Sequence, residues 1–304
     1  MASSVIVIGA GFGGLAAAHH LREAGIEDIT ILERASDIGG VWRENDYPGA
    51  ACDVPSSLYS WSFAPKHDWT HRYARQPEIL DYIRDRARTS GLRDLVRTSA
   101  EVTAAEWEDH KRRWRVELGT GEALEADILV SAVGQLSRPA TPALRGLETF
   151  AGLRFHSATW DHSVDLRGQR VGVIGTGASA IQFVPQIVDQ VAAMTVFQRS
   201  APYVVPKPDR RYAGWERRVS LRFPRLHQLA RASVFRLSEQ LNKALESDGR
   251  LIQIMHRAWR LHLRRQVKDR TLRAKLVPDY PLGCKRLLFS NDWYPALTHE
   301  HVDL

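Results

Sequence analysis

The sequence predicts an α/β chain built from two doubly wound, three-layer units, the second carrying a helical insert. Three observations carry this. An apolar, β-branched run at 5–8 leads into Gly9-Ala10-Gly11-Phe12-Gly13-Gly14 and then the helix-forming LAAAHHLREAG. The same order recurs further on, where a strand pattern at 169–174 leads into Gly175-Thr176-Gly177-Ala178-Ser179-Ala180 and a helix through Ile187. Each turn is answered, 24 positions after its first glycine, by a charged residue at the next strand's end: Glu33 after Gly9, Arg199 after Gly175. A lone G-x-G-x-x-G is often a chance loop. Strand, glycine turn, helix and charged strand tip in that order describe a Rossmann-like dinucleotide-binding fold, here twice.

Length and composition set the bounds. A chain of 304 residues holds two domains and buries a sizeable core. Hydrophobic residues at 44% and charged residues at 25% are the balance of a globular protein. The two cysteines, Cys52 and Cys284, form no C-x-x-C, which argues against a disulfide scaffold, a zinc ribbon and a dithiol reductase. No cluster of ligand-type residues suggests a metal. The opening MASSVIVIGAGFGG lacks a basic leader region and glycines interrupt its apolar run, so it does not read as a signal peptide. No stretch is long and apolar enough to span a bilayer. A reducing, cytoplasmic setting is the expectation; nothing in the sequence sets the oligomeric state.

In the first unit, Gly9 allows the tight turn, Gly11 lets backbone approach a pyrophosphate, and Gly14 lets helix pack on strand. Phe12 opens the helix whose amides face the phosphates. Gly25 caps its end. Glu33 closes the strand 28–33, where a carboxylate accepts both ribose hydroxyls and repels a 2′-phosphate, so this turn takes FAD or NAD. Glycines 39 and 40 leave room for a ring at the backbone, with Val41 and Trp42 following. Asp53 lies in ACDVPSSLYSWSF among apolar and aromatic neighbours, so it is either paired with a cation or pushed towards neutrality. The stretch 76–90 is helical, with Ile79, Leu80, Ile83 and Ala87 near one face and Gly91 stopping it. The stretch 97–118 is β-structure, and 127–134 reads as a clean buried strand before the linker marked by Pro139 and Pro142.

The second turn differs in one charge. Arg199 sits where Glu33 sits in the first unit, and a guanidinium there suits a 2′-phosphate, with the Ser200 hydroxyl beside it. The second site therefore prefers NADPH to NADH. With no C-x-x-C to receive electrons, molecular oxygen is the natural acceptor.

Between the two turns lies FAGLRFHSATWD: Phe150, Gly152, His156, Trp160 and Asp161 at fixed spacing. Singly, Trp160 reads as a core plug and His156 as a hydrogen-bonded linker residue. The whole string resembles the fingerprint of the Baeyer–Villiger monooxygenases, a branch of the flavin-dependent monooxygenases, and the Trp160-Asp161 ending carries that assignment. Gly39-Gly40-Val41-Trp42, Tyr47-Pro48-Gly49 and Asp53 resemble a second, longer fingerprint of the same enzymes. The resemblance implies FAD on the first turn, Trp42 walling the ring, Tyr59 as another flavin contact, and backbone near Val102 on the adenine side. Gly283-Cys284-Lys285-Arg286 resembles the family's G-C-K-R element. It implies that Lys285 helps hold the 2′-phosphate and that Arg286 pairs with Asp53 beside the flavin.

The implied reaction converts a ketone and O2 to an ester or lactone and water through a C4a-peroxyflavin, whose attack on the ketone builds an oxyanion that a fixed guanidinium stabilises. Oxygenation of a soft nitrogen or sulfur atom is the enzyme alternative. A truncated, non-catalytic nucleotide-binding fragment is the other, since members of the family continue well beyond the strand opening at 301–304.

The division expected is an FAD-binding domain over 1–140, a linker with the fingerprint over 141–165, an NADP-binding domain over 166–208 and 277–304, and an insert over 209–276. The net charge of +7 is uneven: 210–275 carries 18 Lys and Arg against 5 Asp and Glu, which leaves the remainder acidic. The insert reads as two or three amphipathic helices, most clearly in LIQIMHRAWRLHLRRQVKDR. A helical lid or dimer surface is the leading use. Weak membrane-surface contact through Trp259 and the arginines is the second. Nucleic acid ranks last, since no reader motif accompanies the charge. The charge reversal at the strand tips makes one prediction: Arg199→Ala raises KM for NADPH far more than KM for NADH, and equal effects on both coenzymes would remove the assignment.

Overall fold

The run VIVI forms β1 (Val5–Ile8), the strand on which the first unit is assembled. The computed structural model describes residues 3–247 and 249–304. They fall into two units: the chain up to Asp46 with Gln76–Trp160, and Tyr47–Arg75 with Asp161–Leu304.

In the first unit β1 leads into α1 (Phe12–Glu23) and then β2 (Ile29–Leu32). A Cβ on Gly14 would run into the Gly9 carbonyl oxygen, and one on Gly9 would lie 2.5 Å from that of Ala132. Only glycine lets α1 seat this close to β1. Leu15 and Ala18 are then fully buried, and Gly25 at φ +84° closes the helix. A single turn, α2 (Val41–Glu44), precedes α3 (Gln76–Thr89), which buries Ile79, Leu80, Ile83 and Ala87 before stopping at Gly91. Then come β3 (Val96–Arg97), β4 (Val102–Glu108), β5 (Arg113–Leu118), β6 (Ala123–Ala126) and β7 (Ile128–Ser131). The main sheet is parallel with order β3-β2-β1-β7; β4-β5-β6 make a separate antiparallel sheet. Val116, Leu118 and Ala126 of the second sheet close one core with Ile6 and Leu32 of the first.

The strand expected to be cleanly buried at 127–134 is instead half-exposed, with Ile128 at 39% and Val133 at 52%. The reason is topological: β7 ends the sheet order, so only one of its edges is paired.

In the second unit β8 (Arg170–Ile174), α4 (Ala180–Ile187) and β9 (Ala193–Phe197) repeat the strand–turn–helix–strand order. Next is β10 (Val204–Val205), then, among the described residues, the helical segments α5 (Gly214–Arg222), α6 (Pro224–Ser247), α7 (Gly249–Gln266) and α8 (Arg270–Lys275), over the stretch expected to hold two or three helices. Pro224 opens α6, where its missing N–H costs nothing, and the Asp269 carboxylate caps α8 by accepting from Thr271 and Leu272 amides at 3.0 and 2.9 Å. β11 (Leu288–Phe289), α9 (Trp293–Ala296) and β12 (Val302–Asp303) follow. The sheet order is β12-β9-β8, all parallel; β10 pairs with β11. Ile181, Val184 and Ile187 of α4 are buried, as are Met194, Val196, Trp293 and Tyr294. From α7, Trp259 and Leu263 are buried, and the Trp259 indole N–H donates to the Tyr294 hydroxyl at 3.1 Å. No described helix is long and apolar enough to cross a membrane.

The observed division differs from the expected one. Segment 47–75 belongs with the second unit, not with a continuous 1–140 domain. It is held there by contacts remote in sequence: the Arg72 amide donates to the Arg210 carbonyl at 2.9 Å, and the Tyr73 amide to Asp209 at 3.1 Å.

Two neighbouring glycines test the packing argument. Gly13 has open space where a Cβ would go. Gly13→Ala should therefore leave stability unchanged or raise it by up to ~1 kcal/mol through helix propensity. Gly14→Ala should cost ~2 kcal/mol or more. Thermal melts of both variants decide it.

Candidate functional site

The first turn is built from backbone. Gly9 has φ +102°, and the Ala10 amide donates to a Glu33 carboxylate oxygen at 2.9 Å. The other Glu33 oxygen accepts from the Ala35 amide at 3.0 Å. Glu33 is 8% exposed, so β2 delivers a buried carboxylate to the side of the turn. Each oxygen keeps lone-pair capacity for a hydroxyl, so these residues fit a dinucleotide with a bare ribose. Phe12 stacks on Tyr82 with ring centroids 6.1 Å apart.

Glycines 39 and 40 also answer to the protein's own packing. A Cβ on Gly39 would meet Leu80 Cδ1 at 2.5 Å, and one on Gly40 would meet Gly11 Cα at 3.0 Å; their φ values are +124° and +54°. The requirement for glycine thus comes from the protein's own packing, which brings the Gly40 backbone against the turn at Gly11. Val41 begins α2, and the half-buried Trp42 has its carbonyl bonded to the Gln76 side chain. Val102 lies on β4 opposite Leu118 at a register shift and packs on the inter-sheet core.

The second turn is more open. Cβ atoms on Gly175 and Gly177 would meet nothing within 4 Å, and Gly175 has φ +106°. Thr176 is buried, and its hydroxyl donates to the Ser200 carbonyl at 3.4 Å, tying the turn to the end of β9. Ser179 hydrogen-bonds the Tyr47 side chain; burial raises the Tyr47 pKa and that bond opposes it. Ala180 is buried at the start of α4. Beyond β9, Arg199 is exposed and Ser200 half-exposed. Lys285 Nζ lies 3.3 Å from Ser200 Oγ and 4.1 Å from the Tyr280 ring centroid. Two cations and a hydroxyl beside an open glycine turn fit a phosphate group.

Arg286 donates to the Asp53 carboxylate across 233 positions of sequence. Loop 47–53 sets this acid. Gly49 has φ +80°, and a Cβ there would meet the Gln182 carbonyl at 2.8 Å; the Gln182 side chain accepts from the Ala51 amide at 2.9 Å. Asp53 is largely covered and Arg286 is 64% exposed, so the pair stabilises the fold by no more than ~1 kcal/mol. Its use is to hold a guanidinium still.

Sequence reasoning missed Gln182 and Lys207. Gln182 was readable as the one amide amid the apolar AIQFV of α4. Lys207 stands over Tyr73 at 5.1 Å, and burial lowers its pKa against the pull of Asp209. No local pattern marks it. Tyr59 is half-buried in the 55–60 turn, where its amide donates to the Pro55 carbonyl at 3.0 Å.

The fingerprint is less buried than a core plug. Phe150 is 59% exposed and covers Gly152, where a Cβ would strike its ring at 2.6 Å. His156 Nδ1 accepts from the Ala158 amide at 3.0 Å, and Trp160 meets Phe155 edge-on at 5.1 Å. The Asp161 carboxylate accepts from the Ser163 hydroxyl at 2.6 Å and amide at 2.9 Å, which lowers its pKa. The boundary between the two units falls between Trp160 and Asp161.

The sequence suggested no metal-ligand cluster, yet His19, His20 and Glu23 bring ligand atoms within 4.8 Å on α1. Both imidazoles already meet the carboxylate, at 3.3 and 2.8 Å, so the trio is explained by its own contacts.

The cysteines differ sharply. Burial pushes the Cys52 thiol up to about 12, whereas Cys284 is exposed. At pH 8 the native chain should label with iodoacetamide at Cys284 alone, and denaturant should release the second thiol. Mass mapping of the labelled peptides reads the outcome; native labelling of Cys52 would refute its burial.

Comparison with known proteins places the chain. Residues 6–217 match the family described as pyridine nucleotide-disulphide oxidoreductase. A Baeyer–Villiger monooxygenase of Streptomyces coelicolor is 46% identical over 300 residues, 99% of this chain and 58% of the relative. One from Pseudomonas aeruginosa is 43% identical over 293 residues, 96% of this chain and 56% of the relative. Among solved structures, an oxidised steroid monooxygenase bound to NADP superposes with a TM-score of 0.87 at 33% identity, over all of this chain and 65% of that one. A cyclohexanone monooxygenase from Rhodococcus sp. Phi1 bound to NADP+ gives 0.85 at 28%, over 99% and 64%. This chain thus spans somewhat over half the length of the curated relatives it matches. With two glycine turns, oppositely charged strand tips and this fingerprint, the chain belongs to the pyridine nucleotide-disulphide oxidoreductase family, and over nearly its whole length it is similar to Baeyer–Villiger monooxygenases.

Proposed function

We propose that the protein acts as an FAD- and NADPH-dependent monooxygenase of Baeyer–Villiger type, taking a ketone and O2 to an ester or lactone. The observation that carries this is the Arg286 guanidinium fixed by Asp53. The Arg199, Ser200 and Lys285 group beside the second turn supports the choice of NADPH.

The roles rest on the two glycine turns and on the family resemblance. Gly9, Gly11, Phe12, Gly14 and Glu33 hold FAD, and the family resemblance adds Gly40, Val41, Trp42 and Val102 of the same unit as further contacts. Gly175, Thr176, Gly177, Ser179 and Ala180 cradle the NADPH pyrophosphate. Bound flavin supplies the hydride acceptance and oxygen activation that no side chain here provides. Asp53 fixes the orientation of Arg286, and Arg286 neutralises negative charge on the ketone oxygen as that carbon is attacked. The chain has no C-x-x-C, and its two cysteines are free, so the dithiol chemistry in the family's description is not part of this reading.

Two measurements test it. Purified chain should carry flavin absorbance near one equivalent and oxidise NADPH; a colourless protein that binds no added FAD would overturn the reading. Arg286→Ala should keep flavin binding and NADPH-driven bleaching while losing ester by about a hundredfold or more, roughly 3–4 kcal/mol of barrier. An undiminished ester yield removes the role of Arg286, and product confined to N- or S-oxides replaces the ketone with a heteroatom substrate.

A further inference from the structure

The second unit contains a cavity of about 280 Å³ lined by neither the second glycine turn nor the Asp53–Arg286 pair. Its walls come from the 55–72 loop and from 210–234, including α5 and α6. Pro55, Leu226, Ala230 and Val234, with Trp69 and Tyr212, give it an apolar body.

Its charge is one-sided. Arg72, Arg210, Arg217, His67 and His227 line it, and no carboxylate does. Two of the three guanidiniums are compensated from outside. Arg210 grips Glu216 through two bonds of 2.7 and 2.6 Å. Arg217 lies 3.9 Å from the Asp68 carboxylate and donates to the Asp68 carbonyl at 3.0 Å. Arg72 is different. Its carbonyl accepts from the Ser56 amide and hydroxyl at 2.8 and 3.0 Å, which pins its backbone. Its guanidinium meets neither carboxylate nor hydrogen-bond acceptor among the described residues.

His227 adds a second sign of a ligand. It is 9% exposed, its ring stands edge-on to His67 at 4.7 Å, and its Nε2 has no hydrogen-bond partner among the described residues. Burial, with His67 and Arg231 nearby, lowers its pKa to about 4, so it is neutral at pH 7 and contributes polarity without charge. A hollow apolar site with a few converging polar groups and a shifted titratable residue is the usual form of a small-molecule site. One uncompensated cation in such a site matches one negative charge. A guanidinium matches the two oxygens of a carboxylate or sulfonate.

We propose that this cavity binds a small organic monoanion, a carboxylate or sulfonate on an apolar or aromatic body, with its acid group on Arg72. The site is separate from the dinucleotide turns and owes nothing to the monooxygenase reading. Its size admits on the order of a dozen heavy atoms, at the small end of ligand sites.

Calorimetric titration of the full chain with 2-naphthoate, and with 2-naphthamide as the uncharged match of the same shape, tests the proposal. The expected result is one site, with naphthoate at least tenfold tighter than the amide. Arg72→Met should bring naphthoate down to the amide's affinity at unchanged melting temperature. Val234→Trp, which fills the hollow from α6, should remove binding of both and keeps the proposal testable if Arg72→Met does not fold. No saturable binding, equal affinity for the amide, or insensitivity to both substitutions would overturn it. So would displacement of naphthoate by adenosine 2′,5′-bisphosphate, which would put the anion on the second glycine turn instead.

Discussion

A buried carboxylate at the tip of β2 is the constraint on which the first unit's turn depends. Glu33 takes the Ala10 amide on one oxygen and the Ala35 amide on the other, and so holds two loops at fixed positions. A carboxylate with this little exposure is costly unless its oxygens are satisfied, and here backbone donors satisfy them. The side chain that shapes the turn is also the one the proposed reading assigns to a ribose. The close approach of α1 to β1 at Gly14 completes the cradle, because a larger residue would lift the helix amides away.

The second unit solves the opposite problem. Its turn is open at both glycines, and its strand tip presents Arg199 and Ser200, with Lys285 brought beside Ser200 from far along the chain, so positive charge stands where the first unit places a carboxylate. Lys285 rests on the face of Tyr280, and Tyr280 in turn receives the Tyr203 hydroxyl on its carbonyl at 3.0 Å. The cation thus stands on a packed aromatic support instead of swinging in solvent. The neighbouring Arg286 is held by a different device, an acid delivered by the 47–53 loop against α4. Adjacent basic residues accordingly have separate anchors.

Much of the fold was legible because its signals are local. The two strand–turn–helix units, the Gly25 and Gly91 stops and the buried face of α3 each follow from spacing within a dozen residues. What escaped depends on partners far along the chain. The membership of 47–75 in the second unit rests on Arg72 with Arg210 and Ala51 with Gln182, pairings no periodicity encodes. Asp53 with Arg286 was reachable only through family resemblance, for the same reason. That Gly39 and Gly40 also sit against Leu80 and Gly11 was not legible, since a glycine's sequence context does not say what approaches it. The half-exposure of β7 escaped because a strand's hydrophobicity does not reveal its place in the sheet order.

The pairing of β12 with β9 carries a consequence for how the chain is made. Val302 lies beside Met194, and α5 to α8 of the insert fall between them. Closing so long an interval adds little to the equilibrium cost, since each doubling of a loop adds only about 0.6 kcal/mol. Its kinetic effect is larger. During synthesis β9 has to wait for roughly a hundred further residues to leave the ribosome before that edge is covered, and parallel strands joined at such range come together late. A nascent chain therefore presents one bare β-strand edge for several seconds, the interval in which a chaperone would matter most.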